Sequence, residues 1–200
     1  MKSAFLLFGK SINSIALDSY KKHVLNDSID AYYCIHSNSL IKTQLLDSLN
    51  AINSKILTNE DISDVPDNGS NNMFLYFYIM KITLELVSDL NIYDNFIFCH
   101  TDVYLNYEFN IVNDKVNYLK CIENPNLSTK LLICNKNISV ELGTIYENIV
   151  AESEDFFTKN SLNTINEVLE YYLIKLNIPV HYIGEKGISL SPKKSNDLSK

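Results

Sequence analysis

Apolar residues in this chain fall into short blocks separated by segments whose apolar positions recur at helical spacing, the pattern of strands alternating with helices. The first block, Ser3–Phe8, is stopped by Gly9 and predicts a short buried strand. Ile15 to Leu25 follows as a mostly polar helix with Ile15, Ala16, Val24 and Leu25 as its apolar positions. Ile29–Ile35 predicts a second strand ending at His36. Leu40–Ile52 predicts an amphipathic helix through Leu40, Ile41, Leu45, Leu46, Leu49 and Ile52. Lys55–Thr58 reads as a further short strand and Asp64–Asn72 as an exposed loop dense in turn formers. Asn72–Asn91 is a long helix, so apolar in its first half that it belongs between layers rather than on the surface. Asn95–Cys99 is the central strand.

Beyond Leu105 the alternation weakens. Tyr107–Val112 and Val116–Cys121 predict a hairpin across Asn113–Lys115, Glu123–Ser128 a turn around Pro125, and Leu131–Cys134 another strand. Ser139–Ala151 reads as a helix, Glu152–Asn160 as a loop, Ser161–Leu176 as an amphipathic helix and Pro179–Ile183 as a closing strand. The expected fold is α/β: a three-layer sandwich with a mostly parallel central sheet. Residues 1–188 form one expected domain, and 189–200 a polar, flexible tail.

Composition narrows the function. The formal net charge is −7, all 17 basic residues are Lys, and there is no Arg or Trp. Basic residues cluster only at Lys21-Lys22 and Lys193-Lys194, so nucleic acid is not an expected partner. Without Arg no planar bidentate clamp exists, and any bound phosphate must be met by Lys, backbone N–H groups or a metal. Cys34, Cys99, Cys121 and Cys134 are far apart with no C-x-x-C pair; three follow apolar runs, as packed free thiols in a reducing compartment would. The apolar start is too short for a signal peptide. Met73–Met80 is interrupted by Lys81 and Glu85 well short of the roughly 20 residues a membrane span needs. A soluble cytoplasmic protein with no membrane span is expected, its oligomeric state open.

The chemistry concentrates in Tyr93–Leu105. An apolar strand ends abruptly in His100, Thr101 and Asp102 before hydrophobicity resumes, as where an α/β sheet delivers polar groups to its carboxyl edge. Gly9, Lys10 and Ser11 end the first strand, where backbone N–H groups and a lysine would meet a nucleotide. No glycine-rich loop is present, however, and a plain strand-to-helix turn fits the same residues. Asp30 reads as a solvated or capping residue, Asp94 as a turn cap, and Phe74, Tyr76, Phe77 and Tyr78 as core, with sugar stacking the minor alternative.

Phe5-Leu-Leu-Phe-Gly9 and a helix, then Asp30-Ala-Tyr-Tyr-Cys-Ile-His36, then Tyr93-Asp-Asn-Phe-Ile-Phe-Cys-His-Thr-Asp102 form a sequence that resembles small glycosyltransferases of the GT-A type, found in surface-polysaccharide gene clusters and some large-virus genomes. Asn166-Glu167-Val168-Leu169 and Asn177-Ile178-Pro179-Val180 continue it. The resemblance implies a GT-A-like fold, a nucleotide-sugar donor and a glycan or other hydroxyl acceptor. It places the nucleotide near Gly9, Lys10, Ser11 and His36. Asp102 and His100 would hold a divalent cation, Mn²⁺ or Mg²⁺, on the diphosphate. Glu167 would be the base that deprotonates the acceptor, with Glu141 a weaker candidate; Thr164-Ile-Asn-Glu167 is equally a capping-box spacing. The family's arginines near Gly9 and two residues before Asp102 are absent, and Tyr104 stands where an Asp-x-Asp would be completed. A second expectation is therefore a catalytically inactive module of the same shape, serving in sugar binding or protein assembly.

Overall fold

The computed structural model of the chain describes residues 2–10, 14–36, 46–66, 73–105, 115–119, 129–152, 156–183 and 188–190. Seven strands make one sheet: β1 (Ser3–Gly9), β2 (Ile29–His36), β3 (Asn53–Leu57), β4 (Asn95–His100), β6 (Val116–Leu119), β7 (Leu131–Asn135) and β8 (Val180–Ile183). Their order across the sheet is β3-β2-β1-β4-β7-β6-β8. Only β7 runs antiparallel to its neighbours; the remaining pairs are parallel. β5 (Val103–Leu105) pairs antiparallel with β9 (Ile188–Leu190) in a separate ribbon.

The near-continuous apolar runs of β1 and β4 are the composition of strands covered on both faces. Side chains alternate across the pleat, so Ala4, Leu6 and Phe8 join one core while Phe5 and Leu7 join the other. The second core is closed by α1 (Ser14–His23), which buries Ala16, Leu17 and Tyr20. The first is closed by α2 (Met73–Glu85), α3 (Lys136–Gly143), α4 (Ile145–Ala151) and α6 (Ile165–Lys175). α2 lies against β1 and β2 and is itself covered by α3 and α4, which accounts for its apolar residues on almost every side. The α/β class and the mostly parallel sheet between helical layers are as the alternation predicts. No helix among the described residues is long and apolar enough to cross a membrane.

Several expected boundaries move. α2 ends at Glu85 rather than Asn91, because Asp89 caps a new 3-10 turn, Leu90–Ile92, by accepting from Asn91 N. The helix expected over 139–151 is two helices, split after Gly143, where a Cβ would stand 2.9 Å from Leu84 Cδ2 of α2. Of the helix expected over 40–52, residues 40–45 lie outside the described residues. Leu46 and Leu49 are buried, but Asn50 turns left-handed (φ 50°) and Ile52 is exposed ahead of β3. A short helix, α5 (Phe156–Lys159), lies within the expected loop 152–160. The expected hairpin and the turn around Pro125 fall largely outside the described residues; Val116–Leu119 pairs with β7 and β8. Strand pairing reaches Leu190, inside the segment expected to be a tail.

Candidate functional site

The strand order creates the site. From β1 the chain steps outward to β2 and β3, then returns to lay β4 on the opposite side of β1. At such a reversal the connections leave the carboxyl edge in opposite directions and open a crevice between the two strand ends. Gly9 ends β1 and His100 ends β4, with Phe8 paired to His100 and Thr101 N donating to Phe8 O at 2.9 Å.

His100 is fixed on several sides. Its ring stacks on Tyr76 of α2 (centroids 6.0 Å apart, planes at 12°) and meets Phe8 edge-on at 5.6 Å. Tyr76 is held in turn by donating to Thr129 O at 2.5 Å. His100 Nδ1 lies 2.5 Å from Asp102 Oδ1; an ionised carboxylate only accepts, so Nδ1–H donates and Nε2 is left facing Gly9. From the other face, Tyr20 donates to Val103 O at 2.6 Å and lies 3.2 Å from His100 O, bracing the turn that carries Asp102. Ser19 accepts from Leu105 N at 3.1 Å and fixes the end of β5 to α1.

The second oxygen of Asp102 accepts from Lys130 Nζ. Lys130 immediately precedes β7, and its carbonyl accepts from His100 N at 2.8 Å, continuing the register that pairs Cys99 with Leu131. Because β7 is antiparallel, its amino end arrives beside the carboxyl end of β4, which places the lysine next to Asp102. Burial pushes the Asp102 carboxyl upward, but the hydrogen bond and charge of His100 and the Lys130 ammonium outweigh it. The carboxyl is held well below the usual carboxylate range. A depressed folded pKa contributes stability above the unfolded value, about 4, and that contribution is lost as pH falls toward the folded value. Acid titration of stability below pH ~4 is therefore expected to be shallower in Asp102→Asn than in the parent, by circular dichroism; parallel curves would contradict the assigned pairing.

Gly9 adopts φ +146°, and a Cβ there would lie 2.3 Å from Thr101 Oγ1 and 3.1 Å from His100 Nε2. Thr101 is 1% exposed and its hydroxyl has no hydrogen-bond partner among the described residues. At this edge the bare backbone of Gly9 thus packs directly against Thr101 and His100, beside the Lys130–Asp102–His100 cluster.

The other expected site residues are scattered. Lys10 is exposed beside Gly9, and Ser11 lies outside the described residues. His36 ends β2 at the same sheet edge, with Nε2 3.1 Å from Asn59 Oδ1. Glu167 completes a capping box: its carboxylate accepts from Thr164 N at 2.9 Å and Asn163 N at 2.7 Å. Backbone donors hold its pKa down. Glu141 is exposed on α3. Asp30 lies at the opposite, amino edge, bound by Tyr93 and Lys2, whose ammonium is 2.7 Å away; Asp94 accepts from Lys2 N at 2.8 Å. That edge also opens a depression of ≈ 510 Å³ bordered by Lys21, Asn26, Asp27, Asp30, Ser48 and Asn50. Among the described residues no three His, Cys, Asp or Glu side chains group to hold a metal. Cys34, Cys99 and Cys134 are free and buried, and burial raises all three thiols, Cys34 to about 12.

Sequence reading missed Lys130 and Tyr20 as parts of the site and assigned Tyr76 to the core, with sugar stacking as the minor alternative. The available signal for Lys130 was its place at the head of an apolar block, which becomes informative only when that block is known to run antiparallel to β4.

Fold and site together define an α/β domain with a polar cluster at the topological switch point of a mixed sheet. No protein-family model matches the chain, and no curated protein matches it significantly.

Proposed function

We propose that the crevice between β1 and β4 binds a nucleotide-sugar donor and that the protein is a GT-A-like glycosyltransferase acting on a glycan or other hydroxyl acceptor. The supporting observation is the meeting of Gly9 with His100, Asp102 and Lys130 at the one edge where the strand order reverses. Gly9 and Lys10 at the end of β1 meet the phosphates of the nucleotide, and His36 ends the neighbouring strand, toward the base or ribose. Asp102 holds His100 and Lys130 in place beside the diphosphate. The acceptor hydroxyl attacks the anomeric carbon, the bond from that carbon to the diphosphate oxygen breaks, and the hydroxyl proton passes to the departing diphosphate or to solvent. The electron pair of the broken bond leaves on the nucleoside diphosphate, whose charge Lys130 meets. Glu167 is engaged by its own helix terminus, and no step is routed through it. A cytoplasmic setting suits the buried free thiols.

The donor set does not fit a resident Mn²⁺ or Mg²⁺. Among the described residues Asp102 is the cluster's single carboxylate, and both its oxygens are engaged, so a cation would have to displace the Lys130 ammonium. The catalytic chemistry above therefore uses no metal.

A ligand that binds only the folded state at a hundred times its Kd stabilises it by about 2.7 kcal/mol, which at this chain length raises the melting temperature by roughly 5 °C or more. UDP or GDP is expected to produce such a rise in a thermal-shift assay. Unchanged melting with every common nucleoside diphosphate, with and without manganese, would overturn the donor reading in favour of a module that binds no nucleotide.

A further inference from the structure

We propose that Lys130 is the built-in counter-ion of this site, so that a diphosphate binds there without a divalent cation. The inference rests on the donor-site reading and adds to it the means by which the anion is held. Asp102 offers no free oxygen: Oδ1 accepts from His100 and Oδ2 from Lys130. A divalent cation would have to evict an ammonium whose backbone is tied to β4 through His100 N and Lys130 O at 2.8 Å. Among the described residues it would then find one carboxylate, so water and the phosphates themselves would have to complete its shell.

For an anion the same arrangement is favourable. An unpaired carboxylate at this edge would repel phosphate, whereas the Lys130–Asp102 pair is neutral. An ammonium carries three N–H donors; one is given to Asp102, and no other described residue accepts from the rest. Gly9, without a side chain, lets the end of β1 approach Thr101 and His100 of this cluster closely. With no Arg anywhere in the chain, a lysine oriented by a carboxylate supplies a fixed cation at the strand ends.

The test is calorimetric titration of the full chain with UDP and with inorganic pyrophosphate, once in EDTA and once in manganese. Affinity is expected to agree within about twofold between the two conditions. Lys130→Met should weaken it by about tenfold or more in both, and Lys130→Arg should recover most of the loss. Binding seen only with manganese would overturn the proposal while leaving the donor site standing. So would Lys130→Met binding as tightly as the parent. Failure of both probes under every condition would overturn the donor site itself. The comparison of EDTA with manganese uses the unmodified protein, so it decides the matter even if Lys130→Met does not fold.

Discussion

Gly9→Ala is expected to destabilise the protein by about 3 kcal/mol, read from urea denaturation. Two effects add. The backbone at φ +146° lies where side chains with a Cβ are strained. The new Cβ would also arrive 2.3 Å from the hydroxyl oxygen of Thr101, a side chain only 1% exposed. The chain has no Trp, so far-UV circular dichroism is the suitable probe. Thr101→Ala separates the two effects. Alone it should be close to neutral, within about 1 kcal/mol, because the lost hydroxyl was buried without a partner. Combined with Gly9→Ala it removes the collision but not the strain, and should recover about half of the loss. Strictly additive effects would show that the two residues do not press on each other.

Tyr20→Phe should cost about 2 kcal/mol, although it deletes a single oxygen. Tyr20 is 0% exposed, and its ring packs against Phe5 with centroids 5.4 Å apart, so phenylalanine keeps the packing. What is lost is the hydroxyl that donates to Val103 O and approaches His100 O, the buried link between α1 and the turn that presents Asp102. The variant should therefore also bind UDP more weakly than the parent, since the turn is no longer tied to α1. Unchanged stability and unchanged binding together would show that the turn is held by the ribbon alone.

These residues also show how far the chain can be read without coordinates. β1, β2 and β4 are legible because each is an apolar run ended by a residue that breaks the pattern: Gly9, His36 and His100. Asp102 and His100 stand out because polar residues directly after a buried strand have nowhere to go but the sheet edge. Glu167 was legible in both of its readings, and the geometry shows the capping one, with Thr164 and Glu167 bonded reciprocally. Lys130 was not legible, since nothing local to Thr129–Asn135 states that this strand runs against β4. That direction follows from long-range pairing, Cys99 with Leu131 and Asn95 with Asn135. Tyr76 was hidden for a related reason. In an almost wholly apolar helix it is indistinguishable from its neighbours, and only the ring of His100 lying on it sets it apart. Ile188–Leu190 sits in a polar stretch and becomes a strand because Val103–Leu105 supplies a partner.

The central claim is that the carboxyl edge between β1 and β4 is where a nucleotide binds, and a crystal structure of the protein soaked with UDP tests it most directly. The diphosphate should lie within hydrogen-bond distance of Lys130 Nζ and the backbone following Gly9. A nucleotide seated instead in the depression beside Lys21 and Asp30, at the amino edge of the sheet, would contradict it.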